Sequence, residues 1–447
     1  MFKKIGFAVI AAALMSGASW SQSLEDSLAL TYTTNPTLQA ERARVRAVGE
    51  GIAQARAGYL PSISASAGIS QSHTESSGGF FSQSNSVTPK SYSLSASQAI
   101  WRGGRITGAI DQAQATFLAA EENLRAIEQS VLLEAATAYL DIQRDTQIAE
   151  IRRNNVDVLG AQLRAAEDRF EVGEITRTDV AQAEARQSAA RAQFAAALAQ
   201  LASSRAAYTR IVGQAPGTLA DVPPLPELPA TLEDAVEIAS DFSPTLRGAA
   251  FSEEAARAGI QIARGTLLPE VSLSASAGSR FDQSLPGDQS DSYSVGAQVS
   301  IPIFTGGLNR SRLRAANHSA DQARLQVSAT RRLVEQNTTN AFNNLLATDS
   351  VIESSSQAVR ANEIALDGVQ QEAFVGLRTT LDVLNAEQEL LDSRLTLVSA
   401  ERDAYVAGLF LLQSMGLLTA ETLGLDVETY DAEASTRSGN IDLTPWN

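Results

Sequence analysis

The sequence predicts a mainly α-helical fold that is built twice from one plan, with four short β-strands added to the helices. Three observations support this prediction. Phrases of the first half recur in the second half at a nearly constant spacing. Two long windows without proline allow uninterrupted helices. Four uncharged segments alternate between apolar and small polar residues, which is the period of two that is typical of strands.

The duplication is visible in matching phrases. The stretch "EVGEITRTDV" at 171–180 is echoed by "FVGLRTTLDV" at 374–383, which is 203 positions later. The phrase "SLEDSLALTYTTNPTL" at 23–38 matches "TLEDAVEIASDFSPTL" at 231–246, which is 208 positions later. Repeated phrases at a fixed spacing indicate repeated structural units. Because exposed connections tolerate changes of length, we expect the additional residues of the first half in a loop around His73–Pro89.

The chain divides into five predicted segments. Two lysines, an apolar run "IGFAVIAAALM" and small residues form the layout of a secretory signal peptide, so the mature chain is expected outside the cytoplasm. No later stretch approaches the ~18 consecutive apolar residues of a membrane-spanning helix. The predicted segments are a signal peptide at 1–21, a first repeat at 22–220, a proline-rich linker at 221–230, a second repeat at 231–416 and an acidic tail at 417–447.

Composition excludes several classes of protein. The formal net charge of −16 gives no electrostatic support to nucleic-acid binding. Cysteine is absent, and the two histidines, His73 and His318, share no spacing with other metal-ligating residues. We find none of the common catalytic motifs. The sequence therefore predicts a protein that is not an enzyme and that needs no metal or cofactor.

The four alternating segments lie at 62–70, 91–100, 271–279 and 292–304. Their lengths suit tilted membrane strands, which need about 9–11 residues. A soluble antiparallel sheet is the alternative, but the many alanines of the apolar face would make a thin core. In hydrocarbon no sheet edge can stay open, and four strands are too few to close a barrel. Several subunits must then share one barrel, and their number stays open at this point.

Trp101 and Phe304 stand at equivalent positions, where a strand ends and a helix is expected to begin. Aromatic side chains concentrate at both interfaces between a membrane and water. We therefore expect these two residues at the edge of the membrane. Ordinary packing at the boundary between two elements is the alternative.

Long helices are predicted at 105–170 and 308–374, each about 100 Å long if it is continuous. Apolar residues recur at spacings of three and four, and alanine-rich runs permit close, coiled-coil-like packing. Gly173 and Gly376 follow these helices and suit a left-handed C-terminal cap.

Thr176 and Thr379 each stand three residues before an aspartate, Asp179 or Asp382, which is the pattern of a capping box that opens a new helix. The repeated phrase therefore predicts a tight helical hairpin in each half. The two hairpin tips lie at 171–179 and 375–382, and the helices that follow are expected to run to 212 and 415.

This order of elements, present twice, resembles the TolC family of outer-membrane efflux and secretion channels, in particular its type I secretion branch. The resemblance covers the whole mature chain. It implies a homotrimer with a twelve-stranded barrel in the outer membrane of a Gram-negative bacterium and a helical tunnel through the periplasm. It also implies hairpin tips that close the tunnel entrance at rest. A periplasmic adaptor of the membrane fusion type and an inner-membrane transporter of the ABC or RND type would dock there and open it.

The resemblance also implies roles for single residues. Arg378 would pair with Asp179 of the other hairpin and hold the tips together. Asp382 would form a ring of three carboxylates in the narrowed lumen. The surface that meets the adaptor would include both glycines of the tips and the valines before them, Val172, Gly173, Val375 and Gly376.

Two positions depart from the family's pattern. Ala373 replaces a frequent tyrosine, and Asn385 replaces a second acidic residue of the gate. The closed state would then have fewer latching bonds and a less acidic entrance. Each implied role has a simpler alternative: Asp179 and Asp382 can serve only as helix caps, and Arg378 can be solvated.

The predicted function is therefore an outer-membrane channel that exports substrates received from an inner-membrane transporter. Type I protein secretion and small-molecule efflux both remain open, because the transporter selects the substrate. The alternative from another class is an exported coiled-coil structural or surface protein without channel activity. The four uncharged strands argue against that alternative.

Overall fold

The computed structural model describes residues 22–78, 81–283 and 287–432. The predicted signal peptide at 1–21 and the end of the acidic tail lie outside these residues. Within them, the eight helices are α1 (Leu24–Thr34), α2 (Pro36–Ala57), α3 (Arg105–Glu171), α4 (Arg177–Val212), α5 (Leu232–Phe242), α6 (Pro244–Gly265), α7 (Leu308–Phe374) and α8 (Thr380–Ser414). The six strands are β1 (Ser62–Ile69), β2 (Ser72–Gly78), β3 (Phe81–Val87), β4 (Lys90–Trp101), β5 (Glu270–Phe281) and β6 (Gln289–Ser300).

The chain forms two compact units, and each unit contains parts of both sequence repeats. The first unit holds α1, α4, α8, the proline-rich linker and the C-terminal portions of α3 and α7. The second unit holds α2, α5, α6, all six strands and the N-terminal portions of α3 and α7. None of the helices in the described residues combines the length and the apolarity that crossing a bilayer requires.

In the second unit, β1, β4, β5 and β6 form a four-stranded antiparallel sheet in the order β1-β4-β5-β6, and β2 and β3 form a two-stranded sheet. The register of the four-stranded sheet aligns serines in one row across all four strands, Ser64, Ser95, Ser276 and Ser294. The next row is apolar and consists of Ala65, Leu94, Ala277 and Tyr293. Because successive residues of a strand point to opposite faces, the sheet has a serine face and an apolar face, as the alternation predicted.

Hydroxyl pairs connect strands on the serine face. The oxygens of Ser64 and Ser95 lie 2.8 Å apart, and those of Ser276 and Ser294 also lie 2.8 Å apart. Tyr293 and Val295 of β6, on the apolar face, are among the most exposed apolar side chains of the chain. The predicted fold class, with four strands in the sheet of each chain, is confirmed.

The structure corrects the prediction of a loop at His73–Pro89. β2 and β3 pair with each other from Ser72 opposite Val87 to Gly78 opposite Phe81. The physical reason is continuity with the β1–β4 hairpin. The amide of Ser70 donates to the carbonyl of Pro89 at 3.0 Å, so pairing continues past the end of β1. The additional length of the first half is therefore a β-hairpin.

Buried tyrosine hydroxyl groups make hydrogen bonds between elements of the first unit. The hydroxyl oxygen of Tyr139 on α3 lies 2.9 Å from the carbonyl oxygen of Gln22 and 2.7 Å from that of Ala220, and its single proton is donated to one of them at a time. The hydroxyl of Tyr208 on α4 lies 2.8 Å from that of Ser27 on α1. Burial raises the pKa of Tyr139 to about 12. Both rings are fully buried, and these bonds satisfy polar groups that would be costly to leave unpaired.

The described part of the tail beyond α8 reaches Ala432. In the second unit, Ala432 packs into an apolar cluster with Val45 of α2 and Phe117 of α3. The ring of Tyr430 lies 5.4 Å from the guanidinium carbon of Arg42, a cation–π contact. The described part of the acidic tail is thus packed onto helices.

Candidate functional site

The two hairpin tips, both in the first unit, end their first helix in the same way. Gly173 and Gly376 have φ angles of +80° and +79°, in the left-handed region. The amide of Glu174 donates to the carbonyl of Arg169 at 2.9 Å, and the amide of Leu377 donates to that of Glu372 at 2.9 Å. This pattern is the Schellman motif, which satisfies carbonyls that a helix end leaves unpaired.

The second helix of each tip begins with a complete capping box. The amide of Thr176 donates to Asp179 Oδ2 at 2.9 Å, and the amide of Asp179 donates to Thr176 Oγ1 at 3.3 Å. The corresponding distances at Thr379 and Asp382 are also 2.9 and 3.3 Å. The threonine–aspartate spacing therefore produces the same helix start twice.

The two capping carboxylates have pKa values below the ordinary value for aspartate. The main cause at Asp179 is the hydrogen bond from the backbone amide of Thr176, followed by the bond from its hydroxyl. The same two bonds from Thr379 lower the pKa of Asp382. Both aspartates are thus held as carboxylates by the helix start itself.

In the single chain Arg378 pairs within its own hairpin, and the pairing with Asp179 that the resemblance implies stays a prediction about the assembled trimer. Arg378 Nε lies 2.7 Å from Glu372 Oε2, which belongs to the preceding helix of the same hairpin. Asp179 instead bonds to Thr176. The physical reason is proximity, because the Schellman turn brings the Arg378 side chain back to the end of its own helix. In the described chain Arg378 therefore braces one hairpin and does not join two.

Asn385 does join the two hairpins. Its side-chain oxygen accepts a hydrogen bond from Arg186 Nη2 at 3.1 Å, which connects α8 to α4. The neighbouring Leu384 is buried in a small apolar cluster with Leu159 of α3 and Ala190 of α4. No sequence pattern pointed to Arg186, because it stands seven residues beyond the capping box and belongs to no motif.

The expected docking residues are at the surface of the tips. Val172 and Val375 are both largely exposed. An added Cβ at Gly173 or Gly376 would meet no atom within 4 Å. Within the described residues, no group of three or more acidic or histidine side chains could hold a metal ion.

The two aromatic residues that we expect at the membrane interface differ in secondary structure. Trp101 is the last residue of β4 and lies opposite Val271, because the register shifts between Ala99 and Trp101. Phe304 lies four residues beyond the end of β6. The strand ends at Ser300, earlier than the sequence suggested, and Pro302 has no amide hydrogen to continue the ladder. Both aromatic rings are exposed in the single chain.

The profile of the family "outer membrane efflux protein" matches the chain twice, at residues 29–214 and 236–417. The chain belongs to the outer membrane efflux protein family. The two matches coincide with the two halves of the sequence, which supports the duplication.

Similar proteins agree with this family. The outer membrane efflux protein BepC of Brucella suis is 35% identical over 97% of this chain and 95% of its own length. The outer membrane protein TolC of Vibrio cholerae is 26% identical over 94% of this chain and 97% of its own. The crystal structure of the CmeC outer membrane channel of Campylobacter jejuni matches with a TM-score of 0.78 and 14% identity. The match covers 93% of this chain and 88% of the CmeC chain, and at this identity it shows a shared fold only.

The predictions of a TolC-like family member, of the outer membrane and of an efflux or secretion channel are thereby confirmed. The alternative of an exported coiled-coil protein without channel activity is not favoured. The relatives of this outer membrane efflux protein are channels and not enzymes.

Proposed function

We propose that three copies of this chain close a twelve-stranded barrel in the outer membrane and serve as the exit duct of an efflux system. One observation supports this most directly. In the single chain, β1 and β6 are the outer strands of a sheet whose apolar face is exposed. In a membrane both edges must pair, and only further copies of the sheet offer matching strands. The serine face would then line a water-filled lumen.

The helical part would form the tunnel that receives the substrate. In this proposal a periplasmic adaptor and an inner-membrane transporter dock at the hairpin tips, where Val172, Gly173, Val375 and Gly376 are exposed. Docking would favour a splayed arrangement of the hairpins over the closed one. The name of BepC as an outer membrane efflux protein supports the efflux role.

The gate would consist of side chains at the two tips. Asp382 of three subunits would form an acidic ring that favours cations. The link from Arg186 to Asn385 would keep the two hairpins of one subunit together. Trp101 and Phe304 would stand at the membrane interface on the periplasmic side.

A matched pair of substitutions on β6 tests the barrel. Val295 is 79% exposed on the apolar face, and Ser294 is its neighbour on the serine face. Val295→Arg would place a charge in lipid, which costs about 2–4 kcal/mol at the bilayer midplane. We expect it to abolish insertion into the outer membrane, whereas Ser294→Arg should still insert because its side chain points into water.

Two measurements test the proposed function: the mass of the assembly in detergent and the export activity of cells. The wild-type protein in detergent should have about three times the mass of its mature chain, and cells without it should accumulate a dye such as ethidium. A monomer in detergent, or normal insertion of Val295→Arg, would contradict the proposed barrel. Wild-type dye export by cells that lack the chain would contradict the efflux role.

A further inference from the structure

The two hairpin tips present different chemistry on the same backbone. The last residue of α3 is Glu171, and the equivalent last residue of α7 is Phe374. The residue after the left-handed glycine is Glu174 in the first tip and Leu377 in the second. Both positions are therefore acidic in one tip and apolar in the other.

The apolar residues of the second tip are largely exposed in the single chain. The residue after a Schellman glycine usually packs onto an apolar residue three positions before the helix cap. In the second tip that position holds Glu372, which pairs with Arg378. Leu377 is 76% exposed, and Phe374 is 93% exposed.

The first tip uses the same positions for charge. Glu174 pairs with Arg169, which occupies the position equivalent to Glu372, with Nε and Oε2 3.1 Å apart. Glu171 is exposed at the C-terminal end of α3. A negative charge is unfavourable there, because the carbonyl ends of the helix are also negative. A cation supplied from outside would relieve this unfavourable arrangement.

We propose that the periplasmic adaptor docks on the tips through two unlike contacts. An apolar pocket of the adaptor encloses Phe374 and Leu377 of the second tip, and a lysine or arginine of the adaptor approaches Glu171 of the first tip. The two tips of one subunit are then not interchangeable, although their backbones match. This inference rests on the proposed function, and it specifies the chemistry of the partner at each tip.

Substitutions at the second tip test the apolar contact in cells, with ethidium export as the measurement. Leu377→Glu gives the second tip the residue type of the first, and we expect export to fall about tenfold, as for a central interface residue. Leu377→Met preserves the apolar surface and should export like the wild type. Export by Leu377→Glu at the wild-type level would overturn the apolar contact.

Substitutions at the first tip test the charge contact. Glu171→Lys should reduce export more than Glu171→Gln, because a like charge repels the basic group of the adaptor. Arg169→Gln is the matched control, since it breaks the ion pair with Glu174 and leaves Glu171 in place, and it should export normally. Equal export by Glu171→Lys and the wild type would overturn this contact.

Measurements on purified channels distinguish a failure of this inference from a failure of the proposed function. Every tip variant should keep the trimeric mass and the single-channel conductance of the wild type in planar bilayers. If Leu377→Glu changes conductance as strongly as export, the residue acts within the channel and the docking proposal fails. If the wild-type chain forms neither trimers nor channels, the proposed function fails, whatever the tip variants do.

Discussion

The first and second hairpin tips have the same backbone and different side chains. Their glycines differ by one degree in φ, and their capping boxes have matching distances. Each tip also has one ion pair between a helix end and the turn, but the charges are reversed, Arg169 with Glu174 and Glu372 with Arg378. The comparison teaches that a glycine and a threonine–aspartate box determine the hairpin, whereas the remaining positions are available for contacts with other molecules.

Among the variants that test this shared backbone, replacement of either glycine should have the largest effect on stability. Gly173→Ala and Gly376→Ala should each destabilise their tip by about 1–2 kcal/mol, because a left-handed φ is unfavourable for a residue with a Cβ. The two losses should be equal, since an added Cβ meets no atom within 4 Å at either glycine. Hydrogen exchange of the tip amides would measure both losses.

A glycine inside a helix is the control for these variants. Gly368 lies within α7 and also has open space around an added Cβ. Gly368→Ala should therefore stabilise its helix by roughly 0.5–1 kcal/mol. A loss at only one tip would show that the second tip differs from the first in its backbone requirements too.

The ion pairs and the Arg186–Asn385 bond give a second, smaller test. Arg378→Ala removes a brace within one hairpin, whereas Arg186→Ala removes a bond between two hairpins. We expect Arg186→Ala to raise the conductance of the purified channel in planar bilayers more than Arg378→Ala does. Asn385→Ala should match Arg186→Ala, because it removes the same bond.

The opposite order of these two conductance increases would change the interpretation of the Arg378 ion pair. If Arg378→Ala raised conductance more than Arg186→Ala, Arg378 would exchange Glu372 for a partner on another hairpin when the trimer assembles. The implied pairing of Arg378 with Asp179 would then be supported. The ion pair between Arg378 and Glu372 would occur only in the single chain.

The sequence predicted the hairpins well because their determinants are local. Gly173, Thr176 and Asp179 act on neighbours within six residues, so their spacing is enough to predict the turn. The Arg186–Asn385 bond connects residues 199 positions apart, and no local pattern reveals such a contact. The β2–β3 hairpin was missed for a related reason. Its serine-rich strands have little apolar alternation, and their pairing depends on the neighbouring β1–β4 hairpin.

The smallest expected effect is a dependence of tip stability on pH, which comes from the two capping carboxylates. Both pKa values are lowered in the folded tip, so each carboxylate stabilises its tip at a pH above the pKa of an ordinary aspartate. This stabilisation is lost as the pH falls through the lowered pKa, because the protonated group no longer accepts both hydrogen bonds. Hydrogen exchange of the tip amides, corrected for its intrinsic pH dependence, should therefore accelerate at acid pH in both tips. Asp179→Asn and Asp382→Asn should each remove the acceleration in their own tip and leave it in the other. A tip that keeps its acid response after this substitution would show that its capping aspartate does not control that response.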